Sequence, residues 1–383
     1  MICGVESVSS AEEVSWTDNA ALTGTLETEW AGMLDDGSTQ KLETILQPEL
    51  NVSLTGDSSL TGILRIRGDA EDKLEPGSPY QDNRSTASSS LYLGDNVDVE
   101  LRELYIDSYF DDTLLRVGKQ QVVWGQADGL KVLDVVNPQS YREFILDDFD
   151  NSRIPLWTIN IEFPVADESL VQLIWLPDTT YNDLQEPVSP YAFSSPRIVP
   201  QTVPGFSTVI LDATKPHKPL SDSDFGARFS TFLDGWDITL NYLYHYKDNP
   251  VFYRQILGTQ VTITPEYERT HLIGGTFSNA FGDYIFRSEI GYSTNSYHVT
   301  HDAMDSDGIE ETGEASYVLG LDYSGITDVF LSAQFFQTVL TEDPPGISRD
   351  QVENTITFLV EHNFANETWK AEILLIRSLN DGD

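Results

Sequence analysis

The chain has 383 residues, with 22 Lys and Arg against 62 Asp and Glu, a formal net charge of −40. That balance excludes a nucleic-acid partner, because phosphate contacts need a basic surface. No apolar run reaches the roughly 18 residues of a transmembrane helix, and the single cysteine, Cys3, excludes an internal disulfide. The acidity fits a cation-attracting mouth or ion-holding loops, and equally an acidic solvated surface of the kind found in saline habitats.

Residues 1–20 read as a polar leader. Met1-Ile2-Cys3-Gly4 lacks the upstream apolar stretch of a lipoprotein signal, and no secretory signal is present. An exported chain is therefore expected to have begun further upstream. From residue 21 onward, apolar residues recur at every second position, and about fifteen such segments can be counted. The first, near 22–34, sets Leu22, Leu26, Trp30 and Leu34 against Thr23, Thr25, Glu27 and Glu29. The second, near 41–54, groups Leu42, Leu46, Leu50, Val52 and Leu54. The third, near 60–67, sets Leu60, Leu64 and Ile66 against Arg65 and Arg67. The fourth, near 97–110, groups Val97, Val99, Leu101, Tyr105 and Tyr109 against Asp98, Glu100 and Arg102, with Glu103 out of step.

Further segments lie near 114–124, 154–164, 169–176, 224–233, 236–247, 259–278, 283–298, 315–323, 328–340, 351–362 and 367–378. The clearest is 236–247, where Trp236, Ile238, Leu240, Tyr242, Tyr244 and Tyr246 oppose Asp237, Thr239, Asn241, His245 and Lys247, and Leu243 is the exception. Side chains alternate across a strand, and this length suits a tilted bilayer crossing. The mean hydropathy of −0.27 does not oppose that reading, since lipid-facing and lumen-facing residues average out.

Connections alternate in length. Short turns fall at residues 56–59, 111–112, 166–168, 234–235, 281–282, 324–325 and 365–366, with long ones near 69–96, 125–153, 177–223, 248–258, 299–314 and 341–350. Short periplasmic turns and long external loops are the habit of outer-membrane barrels. The predicted fold is an all-β, antiparallel transmembrane β-barrel over residues 21–383. An even strand count would require one to three closing strands beyond the fifteen, about sixteen to eighteen in all.

The loop 125–153 is unusually apolar for a connection. Val132, Leu133, Val135, Val136, Phe144, Ile145, Leu146 and Phe149 need burial, and the barrel interior is the available place. Folded inward, the loop would offer Lys131, Asp134, Arg142, Glu143, Asp147, Asp148, Asp150 and Arg153 to a passing solute, as a constriction or as a plain plug. Strict alternation turns Arg65, Arg67, Arg102 and Arg228 toward the lumen, with Arg287 and Lys247 as weaker members. Arg116 joins them if Leu115 and Val117 meet lipid, and Lys119 then faces lipid unless Gly118 carries a bulge. Such a basic wall would either set a transverse field opposite the loop or neutralise lumen carboxylates.

The runs Leu-Arg-Glu-Leu-Tyr-Ile-Asp (101–107), Leu-Arg-Val-Gly-Lys-Gln-Gln-Val-Val-Trp-Gly (115–125), Asp-Val-Val-Asn-Pro (134–138) and Arg-Ile-Pro-Leu-Trp (153–157) resemble a family of Gram-negative outer-membrane barrels of unknown function. That family is similar to the alginate-export and porin superfamily. The close resemblance covers residues 97–160, and the C-terminal aromatic assembly signal is missing. It implies a passive channel, or a non-conducting barrel paired with an exporter, with hydrophobic compounds among its cargo.

Catalysis has little support. His217, His245, His271, His298, His301 and His362 form no His-x-x-x-His pair, no Gly-x-Ser-x-Gly occurs, and parity separates His271 from Ser278. The acids Asp302, Asp305, Asp307, Glu310 and Glu311 lack an EF-hand register and read as a solvated loop. Trp30, Trp124, Trp157, Trp175, Trp236 and Trp369 sit near strand ends and suit interfacial girdles. The sequence thus points to a non-enzymatic porin-like channel in a bacterial outer membrane. Its expected partners are membrane lipids, lipopolysaccharide and a small solute, with no cofactor. The alternatives are an export-complex barrel and a secreted β-protein acting on polysaccharide.

Overall fold

The computed structural model describes residues 10–11, 14–17, 19–77, 83–127, 130–144, 147, 149–185, 189–195, 197, 199–200, 205–302, 305–366 and 368–380. Fifteen long strands follow one another as antiparallel neighbours. They are β1 (Ala20–Gly32), β2 (Thr39–Ser53), β3 (Ser58–Asp69), β4 (Val97–Phe110), β5 (Thr113–Gln120), β6 (Leu156–Ala166), β7 (Ser169–Leu176) and β8 (Asp224–Leu233). They continue as β9 (Trp236–Tyr246), β10 (Arg269–Phe281), β11 (Tyr284–Val299), β12 (Ile309–Ile326), β13 (Val329–Leu340), β14 (Val352–Phe364) and β15 (Trp369–Ser378). With the short pieces Ser10–Ala11, Val14–Thr17 and Leu91–Tyr92 they form one 18-stranded sheet. The first two of these pieces, inside the expected leader, pair antiparallel with β1.

Two opposed solvents explain the order. In β9, Leu240 is 60% exposed on the outer face, whereas Thr239, Asn241 and His245 are buried on the inner one. Ile273 of β10 and Ile290 of β11 continue the outer face, each 54% exposed. Soluble monomers avoid an outward belt of Leu, Ile, Phe and Tyr this continuous; lipid accepts it. The apolar halves therefore point away from the interior. The two-residue turn at Asp234-Gly235 has φ of 50° and 87°, the doubly positive geometry that suits twisted hairpins and requires Asp-Gly chemistry.

Several expectations need correction. The segment predicted at 259–278 is two strands. Gln260–Glu266 leaves the barrel and joins Val251–Leu257 and Ser207–Ile210 in a separate three-stranded sheet, and Arg269 restarts the wall. β12 begins at Ile309, inside a predicted loop, because Glu310 to Glu314 carry no apolar side chain on either face and alternation has no contrast to show. The turn expected at Ser324-Gly325 lies later, at 327–328, and the β12–β13 register shifts between Tyr323 and Ile326. In β4 a bulge places Ile63 opposite Glu103 and Leu64 opposite Leu101. Parity flips there, so Tyr105 joins Asp107 on the side of Arg116 rather than sharing a face with Val97. Gly118, at φ 140°, breaks the pattern in β5: Lys119 is buried, and its ammonium donates to the Leu101 carbonyl oxygen at 2.8 Å.

Candidate pore and its inward-folded loop

The described residues of the connection between β5 and β6 pack against the inner, polar face of the strands. Its apolar side chains Val122, Trp124, Val132, Leu133 and Val136 pack with Leu156, Ile174, Leu176, Leu243, Leu272 and Val318 from the wall. This cluster is the hydrophobic core, and it lies in the lumen. Leu243, the one apolar residue on the inner face of β9, is 1% exposed because the loop covers it. Trp124, expected in a girdle, is likewise 1% exposed, and its indole N–H donates to Gln172 at 2.8 Å.

Inward glycines make the seat. Gly274 and Gly291 face each other across β10 and β11; a Cβ on Gly274 would lie 2.5 Å from the Leu133 side chain, and one on Gly291 would lie 3.1 Å from Val132. A Cβ on Gly226 would meet the Trp124 ring at 2.6 Å. These notches were not recognised in the sequence. Their signal was glycine at positions whose neighbours two residues away are lumen-facing.

Polar anchors fix the loop on three sides. On β11, the Glu289 carboxylate accepts from the backbone amides of Gln126, Ala127 (2.7 Å) and Leu133 (3.1 Å), and Arg287 donates to the Gln126 carbonyl at 2.7 Å. On β3 and β4, Arg65 and Arg102 donate to the carbonyls of Asn151 (3.3 Å) and Asp150, holding the short helix Phe149–Ser152. On β2, the fully buried Glu43 takes a two-pronged contact from Arg142 at 2.7 and 3.0 Å, and Glu75 takes a third at 2.6 Å. Burial opposes the Arg142 charge, but Glu43, Glu75 and Glu143 outweigh it and hold the guanidinium well above its usual range. Within the loop, Arg153 grips Asp134 at 2.8 Å and pairs with Asp150, and Lys131 lies 3.2 Å from Asp134.

The remaining predicted residues are placed as follows. Arg67 lies 3.7 Å from both Asp98 and Glu100, and Arg65 pairs with Glu100. Arg116 pairs with Asp107 at 2.6 Å, and Arg228 reaches the Val123 carbonyl at 3.3 Å. Glu143 pairs with Lys41 at 2.6 Å, Asp147 is half-buried, and Asp148 lies outside the described residues. The arginine ladder thus meets the wall's own carboxylates and the loop's backbone, not the loop's acidic side chains. Sequence reasoning missed Lys41, Glu43, Glu75 and Arg84. Arg84 comes from the 70–96 connection and bridges Glu100 at 3.0 Å to Asp183 at 2.6 Å. Glu29, Glu43 and Glu143 cluster closely enough to suggest a metal site, but the Lys41 ammonium already sits among them.

Open space remains on the loop's other side. A cavity of about 540 Å³ lies between Lys131–Tyr141 and the wall from β9 to β13. Lys131, Arg197, Lys247 and Arg349 line it together with Asp134, Asp248 and Glu314, and Val132, Leu272 and Phe336 supply apolar surface.

A family model described as a protein of unknown function, DUF1302, matches residues 63–366. No curated protein matches the sequence. Among solved structures the chain is similar to OmpF of Salmonella typhi, determined with daunomycin, at 10% identity and a TM-score of 0.52, over 97% of this chain and 93% of that one. It is also similar to OmpT, an outer-membrane protein of Vibrio cholerae, at 11% identity and a TM-score of 0.51, over 96% and 89%. At these identities the likeness is one of fold: an outer-membrane, porin-type β-barrel.

Proposed function

The chain belongs to the DUF1302 family, and we propose that it is a non-enzymatic, porin-like channel passing a small solute across a bacterial outer membrane. The observation that carries this reading is the one-sided loop. The described residues of the β5–β6 connection fill and fasten one part of the lumen, and a cavity of about 540 Å³ remains on the other. In this reading the solute passes between the Lys131–Tyr141 limb and the β9–β13 wall. The loop sets the aperture and the cavity charges do the sorting.

Deleting Asp134–Asp150 should raise single-channel conductance in planar bilayers several-fold, since it removes one bank of the passage. An unchanged conductance would contradict the placement of the path. The anchoring on three sides favours a second reading, a non-conducting barrel that serves an export complex. There the intact chain would be silent in bilayers, and only the deletion would conduct.

A further inference from the structure

Most cations of the described lumen already have a carboxylate, and Arg102, Lys119 and Arg228 donate to backbone carbonyl oxygens instead. Arg65 and Arg84 share Glu100, Arg142 holds Glu43, Arg153 holds Asp134, Arg287 holds Asp322 at 2.7 Å, and Arg349 holds Glu314 at 3.0 Å. With 62 acids for 22 bases, such pairing is what the composition favours. The Lys247 ammonium has neither kind of partner among the described residues. Among the described residues no carboxylate lies within ion-pair distance of its ammonium, whose hydrogen bond goes to the Ser296 hydroxyl at 3.4 Å.

The carboxylates nearest Lys247 in the cavity are otherwise engaged. Glu314 accepts from Arg349 and from the Ser296 hydroxyl, both at 3.0 Å. Burial raises the Asp248 carboxyl well above the usual range, which favours its neutral form. Beside Glu314, the buried His298 Nε2 has no hydrogen-bond partner. Four basic side chains thus line the cavity against three acidic ones, and burial opposes the Lys247 charge, so an anion seated on the ammonium would stabilise its charged form. Val132, Leu272 and Phe336 line the same space. An inorganic anion would satisfy the ammonium and leave that surface wet. An anion with an apolar body satisfies both, and the volume suits a small organic ligand.

We propose that this cavity selects small organic monocarboxylates, with the carboxylate on the Lys247 ammonium and the hydrocarbon body against Val132, Leu272 and Phe336. The proposal names the solute class of the passage described above and rests on that reading for its use in transport.

The test uses the full chain refolded in detergent micelles, with radiolabelled benzoate, benzyl alcohol and benzylammonium in equilibrium dialysis. The wild type should retain benzoate in preference to the other two. Lys247→Gln should weaken benzoate binding about tenfold or more, the worth of one charge-assisted contact, and leave benzyl alcohol unchanged; Lys247→Arg should recover most of the loss. Equal retention of the three probes by the wild type overturns the proposal without any variant. So does a folded Lys247→Gln chain that binds benzoate like the wild type. Liposome swelling separates the two readings: benzoate that binds yet does not enter vesicles defeats the channel and leaves the site standing.

Discussion

Replacing Arg142 by Met isolates one anchor of the loop. Its guanidinium spans both Glu43 oxygens and Glu75. Without it, the ion pair left to the fully buried Glu43 is Lys41 at 3.7 Å, already shared with Glu29 and Glu143. Removing one partner of a buried pair costs about 3–5 kcal/mol because a charge is stranded. With Lys41 still in reach the lower end applies, about 3 kcal/mol, or roughly a hundredfold shift of the local equilibrium. The other anchors persist, since Glu289 still holds Gln126, Ala127 and Leu133 and Arg153 still holds Asp134. The limb around Tyr141 and Phe144 should therefore lift while the rest stays seated. Hydrogen exchange of those two amides, bonded to the Asp183 and Tyr141 carbonyls, should accelerate about a hundredfold. Single-channel records should gain flicker to a larger open level. Arg142→Met with Glu43→Gln should recover much of the loss, because the fully buried carboxylate goes with its partner and only the part-exposed Glu75 loses its ion pair. Unchanged exchange in the single variant, or a double variant worse than the single, would refute the reasoning.

Trp124→Ala should destabilise the folded barrel by about 3–5 kcal/mol, the usual cost of emptying a large aromatic site, with an orphaned Gln172 added. Denaturant unfolding in micelles measures it, and a change under about 0.5 kcal/mol would mean the loop is not part of the core. Asp248→Asn should stabilise the protein at about pH 7.5 and not at about pH 4. Burial raises this carboxyl in the folded state. Folded chains therefore bind a proton that unfolded chains release above their lower pKa, and stability falls as pH rises through that window. An equal gain in melting temperature at both pH values would show that charge is not the cause.

The wall was legible because lipid and lumen pull alternate side chains in opposite directions, and β9 records both solvents in its sequence. Legibility failed where neither face carries an apolar side chain, as at residues 310–314 of β12, and where a bulge swaps parity, as beside Arg102. It also failed at Gln260–Glu266, which alternates as well as any barrel strand but belongs to a sheet outside the wall. Alternation reports two unlike faces without saying what either touches. The apolar loop was legible for a similar reason, since Val132 and Leu133 have no place in water. Its partners were not. Glu289 is far away in sequence and reads as an ordinary lumen acid, and Gly274 and Gly291 declare themselves only once Leu133 is seen between them.

The distinction between paired and unpaired charge bears on how such a lumen would sort solutes. Arg65, Arg67 and Arg102 looked like a basic wall because a sequence lists charges without their partners. Each is buried within a few ångströms of a carboxylate or a backbone carbonyl. A passing ion meets such a pair as a dipole, whose field falls off faster than that of a single charge. Substituting these arginines would strand Glu100 and Asp98 and loosen the helix at Phe149–Ser152, so a resulting change in selectivity would report damage as much as field. A charge without a counterion acts over the full Debye length of about 8–10 Å, which is comparable to the width of a cavity of this size. Lys247, with no carboxylate within ion-pair distance among the described residues, is cancelled less completely at close range than these locked arginines. Ion selectivity in this barrel should follow Lys247 more closely than the total of 22 basic residues.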